Sequence, residues 1–517
     1  MHYLPLEPMK RACTAIVCIA LGMSEGPQAQ TSQPVATASA GQLPNLGDGS
    51  EMTTSAERRM GDRIAREIYR DPDYIDDPLL MEYVQGIWQP LLAAARVRGE
   101  LTPELDERFA WEIMMGKDRS VNAFALPGGY FGLHLGLMAV VGSRDELASV
   151  LGHELSHVTQ RHISRIMAKQ GAQAPWLIGA MILAMLAAAK STETANALIM
   201  GGQAVAAQNQ LNFSRDMERE ADRIGFGVMT QAGFEPQGFV TMFDKLAQAS
   251  RLNDSGSFPY LRSHPLTTER IADMQARVPS RGPNAPAATP ATSLEHAMLA
   301  ARARVLSHSA VDELRTWSAQ VASPGFATQD PARRVAGLYG AILAAVKLRN
   351  FAEGAALQAR LAEQTRDDVP AARLTRLLGM ELALAGDDPR QVLTLIGNGP
   401  AAALRPEVML SAQALIRTGQ PAVAAQRLQS WLGDHPRDAH VWQLLSTAYA
   451  ALGQTLRAIR ADAEAQVAHQ DFAAAMDRLK AAQELVRRGT SDHIEASIID
   501  TRARAVALLL REQAVER

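Results

Sequence analysis

The segment His153-Glu154-Leu155-Ser156-His157 constrains this chain more than any other stretch. On an α-helix, residues four apart share a face, one turn above each other. His153 and His157 can therefore offer two imidazole nitrogens to one Zn²⁺. Glu154 falls beside them, placed to take a proton from a water at the metal. The flanking residues favour that helix. Ser143-Arg144-Asp145-Glu146 reads as a capping box with Ser143 as the N-cap. Apolar Leu147, Val150, Leu151, Leu155 and Val158 follow at helical spacing. The same five-residue pattern also arises by chance on surface helices, so the metal reading depends on a third ligand.

Candidates lie in Ser214-Arg215-Asp216-Met217-Glu218-Arg219-Glu220-Ala221-Asp222. Glu218 and Asp222 are four apart and share a helical face, whereas Glu220 points elsewhere. Glu218 reads as the third ligand. Asp222 reads as the carboxylate that accepts the free ring N–H of a ligating histidine and fixes its tautomer. Alone, this segment reads better as a solvated helix whose acids pair with Arg215, Arg219 and Arg223; paired with the upstream motif, that becomes the minor reading. Val121–Leu126 alternates weakly and ends at Pro127-Gly128-Gly129, a strand closed by a turn. His134 and His162 complete no ligand pattern and read as structural or surface residues.

Together, H-E-x-x-H and the downstream S-R-x-x-E-x-x-A-D resemble the Ste24/HtpX-type zinc metallopeptidases, which are gluzincins. Asn122-Ala123-Phe124-Ala125-Leu126-Pro127-Gly128-Gly129, Ser263-His264-Pro265-Leu266 and Glu269-Arg270-Ile271 narrow the likeness to the periplasmic BepA-like subgroup. The likeness is good over roughly residues 45–280 and loose beyond. It implies a mainly α (α+β) chain: a gluzincin-type metallopeptidase domain with a small β-sheet, then an α-helical tetratricopeptide (TPR) solenoid. It also implies one Zn²⁺ per chain, held by His153, His157 and Glu218, with Glu154 as catalytic base. His264 matches a histidine that takes the fourth zinc position and keeps the enzyme latent. A neutral imidazole there would displace the nucleophilic water. The plainer alternative is a turn histidine before Pro265. Asn122, Ala123 and Phe124 would lie on an edge strand that receives substrate peptide through main-chain hydrogen bonds. From the residues alone, an interior strand is as good a reading. The implied substrates are misfolded or stalled outer-membrane proteins. The implied partner is the outer-membrane β-barrel assembly machinery, reached through the repeats.

The N-terminus reads as a cleaved export signal over residues 1–30. Lys10 and Arg11 precede the short apolar run Ala12–Met23, and Ser24–Ser32 is small and polar. A flexible leader follows over 31–50, and the expected location is periplasmic. Both cysteines, Cys13 and Cys18, fall in the signal, so a mature chain would hold neither thiolate ligand nor disulfide. The metallopeptidase domain is expected over 51–278, a proline-rich linker over 279–293 and the repeats over 294–517. A net charge of −3 gives no reason to expect nucleic acid.

Residues 175–207 form an apolar insertion between the second histidine and Glu218. It reads as a buried hairpin covering the site, a helix lying on a membrane surface, or a short anchor. Its length favours the first two. In the C-terminal half, Gly386, Gly419 and Gly453 are spaced by 33 and 34 residues, and Asn350 precedes them by 36. Trp442, Leu445, Tyr449, Gly453, Ala458 and Ala465 fit one tetratricopeptide unit. A chaperone or assembly factor with a latent protease domain is the second functional reading. An intramembrane protease would need several spans of about 20 apolar residues, which the sequence after the leader lacks.

Overall fold

Side-chain caps start the helices that frame the site. Thr53 accepts a hydrogen bond from Ala56 N to begin α1 (Thr54–Arg70). Asp77 accepts from Leu80 N to begin α2 (Pro78–Val97), with Pro78 in the first turn, where no N–H is required. A two-residue strand β1 (Tyr74–Ile75) lies between them. Then come α3 (Pro103–Arg108), β2 (Glu112–Gly116), β3 (Ala123–Leu126), a 3₁₀ turn at Pro127–Gly129, β4 (Tyr130–His134) and α4 (Leu135–Val140). This computed structural model describes residues 52–169, 214–252, 258–278, 293–308, 310–396, 404–489 and 492–515. The expected signal and leader, the apolar insertion 175–207 and nearly all of the 279–293 linker lie outside the described residues.

The four strands run in the order β1-β2-β4-β3, with β2 and β4 parallel and the two outer strands antiparallel to their neighbours. Parallel strands are buried on both faces and read as continuous apolar runs rather than alternation. Ile113, Met114 and Met115 in β2, and Tyr130, Phe131 and Leu133 in β4, are all buried. Among the described residues strand β3 is an edge of this sheet. Gly132 of β4 leaves room for the Phe124 ring, since a Cβ there would lie 2.0 Å from it. Helix α5 (Arg144–Thr159) packs against β3.

Ser143 caps α5, accepting from Glu146 N at 3.1 Å. Glu146 returns to the N–H of Gly142 at 2.6 Å rather than to that of Ser143, while it also pairs with Lys245 at 2.6 Å. The expected capping box is therefore displaced by one residue, with the carboxylate shared between backbone and lysine. Arg161 then adopts a left-handed φ of 51°, breaking α5 from α6 (His162–Lys169). Helix α7 (Arg215–Gln231), capped by Ser214, crosses α5 with backbones in contact. A Cβ on Gly225 would lie 2.9 Å from Gly152 O and from His153 N. Helices α8 (Gln237–Leu252), α9 (Tyr260–Ser263) and α10 (Thr268–Arg277) complete this region.

The remainder is helical: α11 (Leu294–Ser307), α12 (Val311–Gln320), α13 (Pro331–Lys347), α14 (Phe351–Thr365), α15 (Val369–Ala385), α16 (Pro389–Ile396), α17 (Arg405–Arg417), α18 (Pro421–Asp434), α19 (Ala439–Ala451), α20 (Thr455–Ala468), α21 (Phe472–Arg487) and α22 (His493–Val515). Gly419 (φ 77°) and Gly453 (φ 71°) occupy left-handed turns between paired helices, where glycine bears no Cβ penalty. In two earlier turns Arg349 and Asp387 take that conformation instead, and Gly386 caps α15 with φ −80°. That substitution is why the glycine period fades towards the N-terminal repeats.

One apolar core joins the two regions. Helix α11 packs on α4, and buried Met298, Leu299 and Ala303 belong to the same cluster as Leu135, Leu137 and Met138. Three arginines reinforce the junction. Arg302 reaches Asp77 at 2.7 Å and Glu381 at 2.9 Å. Arg373 reaches Glu82 at 2.5 Å and Glu407 at 2.7 Å. Arg405 reaches Asp76 and Asp438, at 2.5 and 2.7 Å. Each joins an acid of the 76–82 segment to an acid of the repeat helices. Among the described residues no helix is long and apolar enough to cross a membrane.

Replacing Gly225 with valine is expected to push α7 off α5 and lower stability by about 1–3 kcal/mol, the usual cost of overpacking. Urea unfolding of the purified chain measures it.

Candidate metal centre

Three separate segments converge on one buried point. Helix α5 presents His153, Glu154 and His157, helix α7 presents Glu218 and Asp222, and His264 follows α9. All six residues are buried. The Nε2 atoms of His153 and His157 are 3.0 Å apart. Glu218 lies 3.5 Å from His153 Nε2 through Oε2 and 3.4 Å from His157 Nε2 through Oε1. His264 Nδ1 lies 3.0 Å from Glu218 Oε1 and 3.3 Å from His153 Nε2. One ligand atom from each of His153, His157, Glu218 and His264 falls within 4.8 Å of all the others.

The donor set fits a divalent ion of intermediate softness such as zinc: imidazole nitrogens and a carboxylate, with no thiolate, around a tetrahedral-sized gap. The electrostatics fit a cation as well. Burial alone would lower His153, but hydrogen bonds to Asp222 and Glu218 lift it to about 9. A proton there occupies the place of a metal's charge, and a bound ion would displace it from His153. Burial, helped by His153, keeps His157 well below the ordinary histidine range and therefore neutral, as a ligand must be. Burial pushes the Glu154 carboxyl up, with His264 and His153 partly opposing. Neither Glu154 oxygen accepts a well-aligned hydrogen bond among the described residues. A buried carboxyl with a raised pKa beside a ligand cluster is a functional-site signature.

Asp222 lies beside this cluster. Its Oδ1 lies 2.9 Å from His153 Nδ1, while His153 Nε2 faces the cluster. The sequence reading missed what holds Asp222. Arg270 of α10 donates to both its oxygens, at 2.6 and 2.8 Å. It also reaches Glu218 Oε2 at 2.7 Å and Pro265 O at 2.8 Å. Burial raises Asp222, yet the Arg270 and His153 hydrogen bonds outweigh it and hold the carboxyl below its usual range. A lone arginine 48 positions from its partner leaves no local signal.

His162 is fully buried, which leaves the structural of its two readings. Its Nδ1 lies 2.9 Å from His157 Nδ1, and its Nε2 lies 3.1 Å from Glu220 Oε2. Arg165 donates to the same Glu220 oxygen at 2.9 Å. Glu220 does point away from the cluster, but onto this histidine. Burial holds His162 down, to about 4, against the pull of Glu220. Tyr260 is a third addition. Its ring lies on His264 with centroids 4.6 Å apart, and its N–H donates to Val121 O at 3.4 Å, next to the edge strand. Asn122 and Ala123 are buried and Phe124 is half-buried. His134 pairs with Ser120 at 2.9 Å, outside the ligand set.

Replacing Arg270 with leucine leaves two buried acids without their cation. The expected loss is about 3–5 kcal/mol near neutral pH, read by chemical denaturation. In the native chain Asp222 is depressed, so its contribution is present above about pH 4 and is lost as the pH falls further. In the variant, burial without Arg270 raises Asp222 instead, so the deficit should shrink on acidification towards about pH 4.

Residues 82–278 match the model of peptidase family M48. The chain is 29% identical over 465 residues to the beta-barrel assembly-enhancing protease of Escherichia coli strain K12, covering 88% of this chain and 90% of that protein. It is 29% identical over 459 residues to the beta-barrel assembly-enhancing protease of Yersinia pestis, covering 87% and 88%. The mitochondrial metalloendopeptidase OMA1 of Saccharomyces cerevisiae is 28% identical over 201 residues, covering 38% of this chain and 55% of that protein. The helix bearing His153 and His157, and the glutamate that α7 brings to it, lie within the stretch that matches peptidase family M48, in a chain similar over most of its length to beta-barrel assembly-enhancing proteases.

Proposed function

We propose that this metallopeptidase is an exported, zinc-dependent endopeptidase that removes misfolded or stalled outer-membrane proteins from the periplasm. The carrying observation is the buried convergence of His153, His157, Glu218 and His264 with Glu154 beside them. His153, His157 and Glu218 hold the metal. When bound, the metal supplies Lewis-acid polarisation of the scissile carbonyl and lowers the pKa of the attacking water. Glu154 takes the water's proton on its carboxylate and delivers it to the leaving amine; its raised pKa suits both steps. Asp222 keeps His153 in the ligating tautomer. The outer edge β3, with Asn122, Ala123 and Phe124, receives extended peptide by main-chain pairing, which favours low sequence selectivity. The repeat helices dock substrate or the outer-membrane β-barrel assembly machinery. This reading draws on the names of the similar proteases and on the export-signal pattern.

His264 serves as a latch. Its Nδ1 sits within the ligand set, and its Nε2 lies 3.5 Å from Glu154 Oε1, so its ring stands between ligands and base. Activity then requires His264 to leave, which frees the imidazole to steady the carbonyl oxygen. Replacing His264 with alanine is expected to raise cleavage of an unfolded protein such as casein; unchanged or lower cleavage removes the latch. Replacing Glu154 with glutamine is expected to abolish cleavage by at least about 100-fold, the usual weight of a general base, with bound metal retained. If cells carrying that variant assemble their outer membrane normally, the chaperone reading replaces the protease one.

A further inference from the structure

The break between α5 and α6 has a chemical consequence. On a continuous helix, residues five apart point about 140° away from each other. His157 and His162 could not then touch. The left-handed residue Arg161 folds the chain so that they do. Such a conformation is unfavourable for a residue with a Cβ, and persists where surrounding contacts hold it. Here Arg161 is tied to buried Glu57 at 3.1 Å, to Ser164 at 3.3 Å and to Met52 O. The strain is thus maintained at the point that delivers His162 beneath the motif's second histidine.

We propose that His162 is a positioning residue for the metal, the first link of a relay His157–His162–Glu220 that fixes and polarises His157. Two ring nitrogens 2.9 Å apart require one donor and one acceptor. If His157 turns Nε2 to the metal, its proton sits on Nδ1 and is donated to His162 Nδ1. His162 then carries its own proton on Nε2 and donates it to Glu220 Oε2, 3.1 Å away. Only one tautomer assignment satisfies the whole chain of bonds. Arg165 holds Glu220 in place from the far side at 2.9 Å. His153 is held by Asp222 and His157 by His162, so both motif histidines are oriented through Nδ1, by different means. An imidazole that passes its pull on to a carboxylate makes His157 a more basic ligand and restricts its ring rotation.

The inference rests on the reading of His157 as a metal ligand. Its test therefore reads metal affinity rather than cleavage. Zn²⁺ is titrated into the full chain against a chromophoric chelator, for the native protein and for His162→Leu, His162→Gln and Glu220→Gln, alongside the thermal stability of each metal-free protein. Leucine fills the space without an acceptor, and is expected to weaken Zn²⁺ binding by about 10–100-fold. Glutamine keeps an acceptor oxygen for His157 and should recover most of that loss; Glu220→Gln should fall between. An unchanged affinity in His162→Leu overturns the relay. So does an equal loss in the leucine and glutamine variants that tracks a loss of metal-free stability, since that is a packing role. A native chain that takes up no Zn²⁺ overturns the metal reading itself, and is distinguished from both by the first titration.

Discussion

The contact between Gly152 and Gly225 is the constraint on which the site depends. With a Cβ at Gly225 the two helices could not meet at this distance. Glu218 and Asp222 lie seven and three residues before Gly225, about two turns and one turn up the same face of α7. Close crossing at that point sets both acids over His153 and His157. The small residues therefore act on the chemistry without touching it, by bringing two backbones together so that short carboxylate side chains reach the imidazoles.

Charge is distributed in shells around that crossing. In the inner cluster histidines and carboxylates support each other's charge, with His153 raised and Glu218 depressed. Glu218 is depressed because His264 and His153 outweigh the burial that alone would raise it. Arg270 then neutralises the acids from outside, and Glu220 with Arg165 does the same beyond His162. Buried ionic groups of this number are tolerable only when each has a partner. Glu154, whose carboxyl burial pushes up and which faces His264 Nε2 at 3.5 Å, is the group to which proton transfer is assigned.

The repeat helices share the metallopeptidase core rather than hanging from it. Leu135 and Met138 of α4 and Met298 and Leu299 of α11 lie in one apolar cluster. Arg302, Arg373 and Arg405 each join an acid in residues 76–82 to an acid further along the repeats. Burial and hydrogen bonding at this junction oppose each other in Asp438: burial raises its carboxyl, and Arg405 pulls it below the usual range. Movement of the repeats relative to α2 would have to break these paired charges together, which gives the junction a cooperative character.

Periodicity of 3.6 residues made the two site helices legible: His153, Glu154 and His157 on one, Glu218 and Asp222 on the other. The cap Ser143 was legible because local backbone chemistry demands such a residue, and Gly419 and Gly453 were legible as a repeat spacing. Strands β2 and β4 were not, because double-sided burial erases alternation. Nor were Arg270 and His162. Arg270 pairs across 48 residues, and His162 reaches His157 only because Arg161 breaks the helical period that sequence reading assumes. The sequence by itself determined which side chains could bind a metal, since that follows from residue type and local spacing. Only the tertiary structure decided which groups hold those side chains in place, because charge pairing and close helix crossing depend on distances that no local pattern encodes.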